Sequence, residues 1–304
     1  MEVSLSPELM KILESLVSIF SKLQFQYLIA IIPALAFFVF YFLIVFRPGF
    51  SKTNSWWQTR KFEKESGGTI VKLVHSSASS LLDMFKLPMI SLDDSYKLMQ
   101  AMKDIPNSRP IHLILHTPGG MVIAAEQIAR AIKRRKGEVH AYIPQYAMSG
   151  GTLVALACDT IHMGDNALMG PLDPQLMVGL FDQYPCASLV KALKVKNDNR
   201  EDRTLIYGDV AEKAIEQMKI TVTEILSDKY GDEKARELAW ILCNGNWTHD
   251  YGINLVRAKE LGLVVDDDMP ERILKIADTF PCVSSVQYRK PKKDGNDNSL
   301  RLTL

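Results

Sequence analysis

Cysteine is scarce, with four in 304 residues, and Cys158, Cys186, Cys243 and Cys282 never fall at CxxC spacing. That argues against a zinc ribbon or a dithiol redox motif. Cys158 and Cys243 lie in apolar runs, where free thiols behave as small hydrophobes, and the pattern suits a reducing compartment. Neither sign of charge is in excess, with 36 Lys and Arg against 35 Asp and Glu. Nucleic acid is therefore not an expected partner, because phosphate binding shows as a basic surplus. HExxH, GxGxxG and the Walker-type phosphate loop are all missing, as is any internal repeat. No metal or cofactor is expected, and unfolding of a substrate by ATP hydrolysis would fall to another chain.

What is there begins with one uncharged run, "YLIAIIPALAFFVFYFLIVF" from Tyr27 to Phe46. About 20 apolar residues suffice for a helix to cross a bilayer core. The segment reads as a transmembrane helix rather than a cleaved signal, since acidic Glu2, Glu8 and Glu14 precede it and no small-residue cleavage site follows. Arg47, Lys52, Arg60, Lys61 and Lys64 outnumber Glu63 and Glu65 beyond it, which places the bulk of a single-pass protein in the cytoplasm. The "NWT" sequon at Asn246 carries no sugar in that topology. Trp56 and Trp57 are either interfacial anchors or packed on the domain. Upstream, Ser6 and Pro7 open a helix whose Leu9, Ile12, Leu13, Leu16, Ile19, Phe20 and Leu23 form an apolar stripe. That stripe lies on the membrane, pairs with another copy, or extends the anchor.

The organisation expected is an amphipathic helix over 1–26, the span at 27–46, a juxtamembrane linker over 47–68, a catalytic domain over 69–286 and a flexible polar tail over 287–304. In the domain, "TIVKLVH", "IHLILH" and "EVHAYI" read as strands, "VIAAEQIARAIKRR" and "GGTLVALACD" as helices, and "TIHMG" and "NALMG" as short β segments. This alternation gives an α/β fold with a parallel sheet and right-handed crossover helices. Helices follow at 185–195, 208–230, 232–242 and 249–261, with the charged "KVKNDNREDRTL" as a surface loop or an active-site flap.

Two turns, "HTPGG" at 116–120 and "AMSGG" at 147–151, each leave a strand and open a helix, where such sheets collect their ligands. Gly119 and Gly120 permit adjacent amides to point into a cleft as an oxyanion hole. Ser149 stands at a helix N-terminus, whose unpaired amides favour developing negative charge, and Gly150 adds a second oxyanion donor. Ser149 is either a nucleophile or an ordinary N-cap. His116 borders the glycine turn, and His249 in "THD" opens a helix behind the site. Both line the site or are structural, as does Asp173 in "GPLDPQ". His162 sits on a core strand.

"PIHLILHTPGGMVIAAEQIARAI", "IPQYAMSGGTLVALACDTIHMGDNALMGPLDPQ" and "THDYGINLVRAKELGL" closely resemble the serine dehydrogenase proteinase family of membrane-bound serine proteases, over roughly residues 71–265. That family is similar to signal peptide peptidase A, NfeD-type proteases and ClpP, so the resemblance implies the ClpP/crotonase fold. It also implies Ser149 as nucleophile and Gly119, Gly120 and Gly150 as oxyanion turns. Gly170 stands about where ClpP has its histidine, so a base other than that histidine is needed. The signal peptide peptidases use a lysine from a downstream helix, and Lys213 matches best, with Lys191, Lys194 and Lys196 as alternatives. A lysine takes the serine proton only when neutral, which needs burial worth roughly 3 kcal/mol. Asp209 and Glu216, at i−4 and i+3, oppose that if they face the amine.

The resulting expectation is a membrane-anchored serine endopeptidase with a Ser149–Lys213 dyad. Its partners are the lipid bilayer, a peptide or protein substrate, further copies in a homo-oligomer and a regulatory membrane protein. A catalytically silent scaffold of the same fold is the rival, and an acyl-CoA enzyme of crotonase type is third.

Overall fold

A computed structural model describes residues 8, 10–19, 21–22, 37, 55–75, 88–179, 182–277 and 285–288. The chain divides into two units, Met1–Trp56 and Trp57–Leu304. In the first, the described residues between 8 and 22 are helical, with Ile12, Leu13, Leu16 and Ile19 exposed. The Tyr27–Phe46 span lies outside the described residues except for Phe37, and the tail beyond Tyr288 lies outside them as well. Among the described residues no helix is long and apolar enough to cross a membrane.

The second unit is built on the strands β1 (Thr69–Val74), β2 (Ile111–His116), β3 (Val139–Ile143), β4 (Tyr146–Ala147), β5 (Thr160–Met163), β6 (Leu168–Met169), β7 (Gln175–Met177), β8 (Gln183–Pro185), β9 (Val265–Asp266) and β10 (Ser285–Tyr288), of which β1, β2, β3, β5 and β6 are the expected ones. The main sheet runs β10-β1-β2-β3-β5-β9. Its pairings are parallel throughout except β10, which lies antiparallel on β1. The sheet is therefore mixed and mostly parallel. Two small sheets, β4-β6 and β7-β8, stand apart from it.

Side chains alternate across the sheet with period two, and both faces are covered, which is why β2 is apolar with hardly a break and buried at every position. Val71, Leu73, Leu113, Leu115, Ala141 and Ile143 face the main core. There they meet α2 (Leu92–Asp104), α3 (Val122–Lys133), α4 (Gly150–Leu156), α6 (Asp202–Tyr230), α7 (Asp232–Cys243) and α8 (Leu255–Glu260) through buried residues such as Leu98, Ile128, Val154, Val222, Leu238 and Ala258. Each fully buried Leu, Ile or Val contributes about 1.5–3 kcal/mol relative to exposure. Ile70, Ile114 and Tyr142 point to the other face. They meet Phe62 of α1 (55–66) and Ile273 and Ile276 of α9 (Glu271–Ala277). Helix α5 (Cys186–Leu193) packs on α6 through a third cluster, in which Cys186, Ala211 and Ile215 are buried.

Several elements begin or end elsewhere than the sequence suggests. The juxtamembrane linker of 47–68 contains helix α1, because Phe62 has an apolar site to fill on the sheet. The domain limit at 286 falls inside β10, which continues to Tyr288. Helix α6 begins at Asp202, so the end of the charged loop is its first turn. The expected helix at 249–261 shortens to α8, with Asn254 accepting from the Arg257 amide at 2.9 Å as its N-cap. His249 therefore stands in a loop instead of opening a helix.

Candidate active site

The two glycine turns meet. Parallel pairing continues past the ends of β2 and β4 as the Thr117 amide donates to the Tyr146 carbonyl at 3.1 Å and the Met148 amide to the Thr117 carbonyl at 2.9 Å. This pulls "HTPGG" against "AMSGG". Contact is so close that a Cβ on Gly119 would stand 2.8 Å from both the Met148 oxygen and Ser149 Cβ, and one on Gly120 would stand 2.3 Å from the Ile90 oxygen. Both residues also have positive φ, at 105° and 155°, so glycine is required twice over.

Ser149 is the one non-glycine residue with positive φ among the described residues, at φ 49° and ψ −120°. Such a backbone costs on the order of 1–3 kcal/mol and persists only where the surroundings hold it. Here they do. The Ser149 carbonyl accepts from the Leu153 amide at 3.1 Å, the Met148 carbonyl accepts from Gly151 at 2.8 Å, and Thr152 Oγ1 donates to the Ala147 carbonyl at 2.7 Å. The Ser149 side chain makes no capping hydrogen bond. Ser149 thus holds the N-cap position without a side-chain cap bond, partly buried at the start of α4.

Oxyanion geometry follows from peptide planarity. The Gly119 carbonyl accepts from the Ile90 amide at 2.7 Å. Across the same trans peptide the Gly120 N–H points the opposite way, away from Ile90. Gly120 N lies 3.6 Å from where a Gly150 Cβ would be, so the Gly120 and Gly150 amides are neighbours. Among the described residues neither donates to a protein acceptor. Gly119 differs: its amide donates to Thr117 Oγ1 at 3.1 Å and is turned inward. Two of the three expected glycines thus offer amides beside Ser149, while the third forms the corner.

The expected bases are less closely gathered. Lys213 keeps 68% of its side chain exposed, and its Nζ donates to Asp209 Oδ2 at 2.6 Å. Lys191, Lys194 and Lys196 are exposed. His116 is buried beside the Tyr146 ring at 4.3 Å, and burial, then the nearby His75, lowers its pKa. His249 Nδ1 pairs with Asp173 Oδ1 at 2.9 Å, and Gln175 Nε2 donates to the other oxygen of this buried carboxylate at 2.7 Å. Among the described residues no hydrogen bond links Ser149 to any of these groups. A side chain at Gly170 would have to displace the Met148 thioether, since a Cβ there would come within 2.7 Å of Met148 Cε and 3.3 Å of the Ser149 nitrogen. His162 has its Nδ1 bonded to Asp266 Oδ1 at 2.6 Å.

One part of the site escaped the sequence. Behind the first turn His75 Nδ1 lies 2.9 Å from Thr117 Oγ1, and Nε2 lies 3.3 Å from Asp94 Oδ2. Burial would raise the Asp94 pKa, but hydrogen bonds from His75 and Ser91 hold it below the usual carboxylate range. The legible signal was the capping box of Ser91 and Asp94 at the start of α2, a short pattern with no hint of its distant partners.

A glycine corner that presents amides to a strained serine at a helix N-terminus, on a mostly parallel sheet, defines the ClpP-like class of α/β serine hydrolase folds. Within that class the chain belongs to the ClpP-like SDH-type serine proteinases, whose family it matches over residues 24–293. It is 45% identical over 225 residues to an uncharacterized protein of Methanocaldococcus jannaschii, covering 73% of this chain and 76% of that one. It is 35% identical over 75 residues to the membrane protein NfeD1b of Bacillus subtilis, which is 24% of this chain and 17% of that protein. Among solved structures, a 1510-N membrane-bound stomatin-specific protease in complex with a substrate peptide is 19% identical, at a TM-score of 0.41, over 66% of this chain and 82% of that one.

Proposed function

We propose that the chain is a membrane-anchored serine endopeptidase acting through an acyl-enzyme on Ser149, with Gly120 and Gly150 as oxyanion donors and Lys213 as general base. The observation that carries this is the positive φ of Ser149, which holds an uncapped hydroxyl beside two unengaged amides. In the reaction Ser149 Oγ attacks the peptide carbonyl and gives its proton to the base. The C–N bond breaks, the amine leaves with that proton, and water hydrolyses the ester.

Lys213 enters such a step only after losing Asp209 and solvent. Leu205, Ile206 and Val210 on the same helix are 48%, 61% and 41% exposed, an apolar surface that a second copy would cover, burying the amine with it. The uncharged Tyr27–Phe46 run supports the anchor, and the basic residues after it support a cytoplasmic catalytic domain. A peptide or protein is the substrate and a membrane protein the regulator in this reading.

The ion pair of Lys213 with Asp209 favours a second reading, a silent scaffold of the same fold. A fluorophosphonate probe on the full chain in membranes separates the two. Labelling of wild type and none of Ser149→Ala or Lys213→Met supports the dyad. No labelling of the intact oligomer supports the scaffold, and loss in His249→Gln with Lys213→Met still labelled would transfer the role to the His249–Asp173 pair.

A further inference from the structure

A largely buried polar chain ends at the glycine corner. Asp94 Oδ2 accepts from the Ser91 amide at 2.9 Å, from Ser91 Oγ at 2.6 Å and from His75 Nε2 at 3.3 Å. His75 and Thr117 are both 0% exposed, and Thr117 Oγ1 receives the Gly119 amide at 3.1 Å while lying 2.9 Å from His75 Nδ1. With a neutral imidazole these contacts have one consistent set of directions, the 2.9 Å contact of Thr117 Oγ1 with His75 taking precedence over its 3.4 Å approach to the Gly119 carbonyl. A carboxylate only accepts, so His75 Nε2 carries the proton and Nδ1 is left as an acceptor. The Thr117 hydroxyl then donates to Nδ1, which commits its lone pairs to the Gly119 N–H.

We propose that Asp94, His75 and Thr117 form a positioning relay for the oxyanion hole: ionised Asp94 fixes the His75 tautomer, His75 fixes the Thr117 hydroxyl, and Thr117 draws the Gly119 amide inward. With that amide held and the Gly119 carbonyl on Ile90, the next peptide plane has one orientation, which aims the Gly120 N–H at the substrate oxygen. A buried network of this kind has a clear cost when broken, since each member loses a partner that water does not replace. All three residues are buried behind the turn, so their role is positioning. The proposal rests on Ser149 as nucleophile.

The test uses the full chain and two readouts. The first splits fluorophosphonate labelling of Ser149 into its maximal rate and its half-saturating concentration. Thr117→Val is expected to lower the rate about tenfold with half-saturation within about twofold, and Thr117→Ser to restore it. The second is amide hydrogen exchange at Gly119, which needs no reactive serine: protection is expected in wild type and Thr117→Ser, and a loss of about tenfold or more in Thr117→Val and in the near-isosteric Asp94→Asn. Wild-type labelling that Thr117→Val leaves unchanged, with Gly119 equally protected, overturns the relay and spares the peptidase reading. Absence of wild-type labelling with the exchange pattern as expected overturns the peptidase reading and leaves the turn's positioning standing.

Discussion

Ser149 carries two burdens, a backbone conformation that favours glycine and a side chain that glycine lacks. Replacing it separates them. Ser149→Gly relieves the strain at φ 49° and is expected to raise stability by about 1 kcal/mol in urea unfolding while abolishing probe labelling. Ser149→Ala, which keeps the strain, is expected to lose labelling with little change in stability. The three described thiols are the reverse case, inert by burial. Desolvation pushes Cys243 up to about 12 and Cys186 to about 11, and Cys158 higher still, so none is a nucleophile at neutral pH.

Elements were legible where their own residues fix them. Strands β1, β2 and β3 and helices α3 and α7 each carry a periodic apolar face, and the sequence placed all five within a few residues. The start of α6 was misplaced because Gly208 resembles a helix break, whereas it is the position where α5 comes closest, a Cβ there standing 2.2 Å from Leu193 Cδ1. Strands β4 and β9, two residues each, owe their existence to distant pairing, which no local pattern announces. The site follows the same rule. Its serine and glycines show in two short words, while the hydrogen bond of His75 to Thr117 crosses 42 residues. Arg135 shows how much one such contact holds. From the end of α3 it donates to the carbonyls of Met102, Ile105, Pro106 and Arg109, tying α2 and the approach to β2 together. Arg135→Ala is expected to cost about 2–3 kcal/mol in denaturant unfolding, with Arg135→Lys recovering only part.

For the molecule as a whole, the sheet face under α1 contributes one acid-sensitive group. His112, 6% exposed, has its pKa lowered to about 4 by burial first and then by repulsion from His140, His162 and Arg109. Phe62 of α1 rests edge-on to its ring at 4.9 Å. A folded pKa below the unfolded value of about 6.5 means that the unfolded chain takes up the proton first. Stability from this group is complete above pH 6.5 and disappears as pH falls through 4, by about 3 kcal/mol in all. Urea midpoints measured across that window should fall for wild type, and His112→Gln should flatten the slope.

Strand β10 closes one side of the main sheet by lying antiparallel on β1, where Tyr288 also donates its hydroxyl to Asp104 at 2.7 Å. Without it, the backbone groups of Val71 to Val74 would be bare along a sheet edge, a template for strands of other molecules. A chain cut before Ser285 is accordingly expected to self-associate into β-rich aggregates, visible as thioflavin binding and rising light scatter, while the uncut chain stays clear. The short C-terminal strand thus serves as a guard against polymerisation.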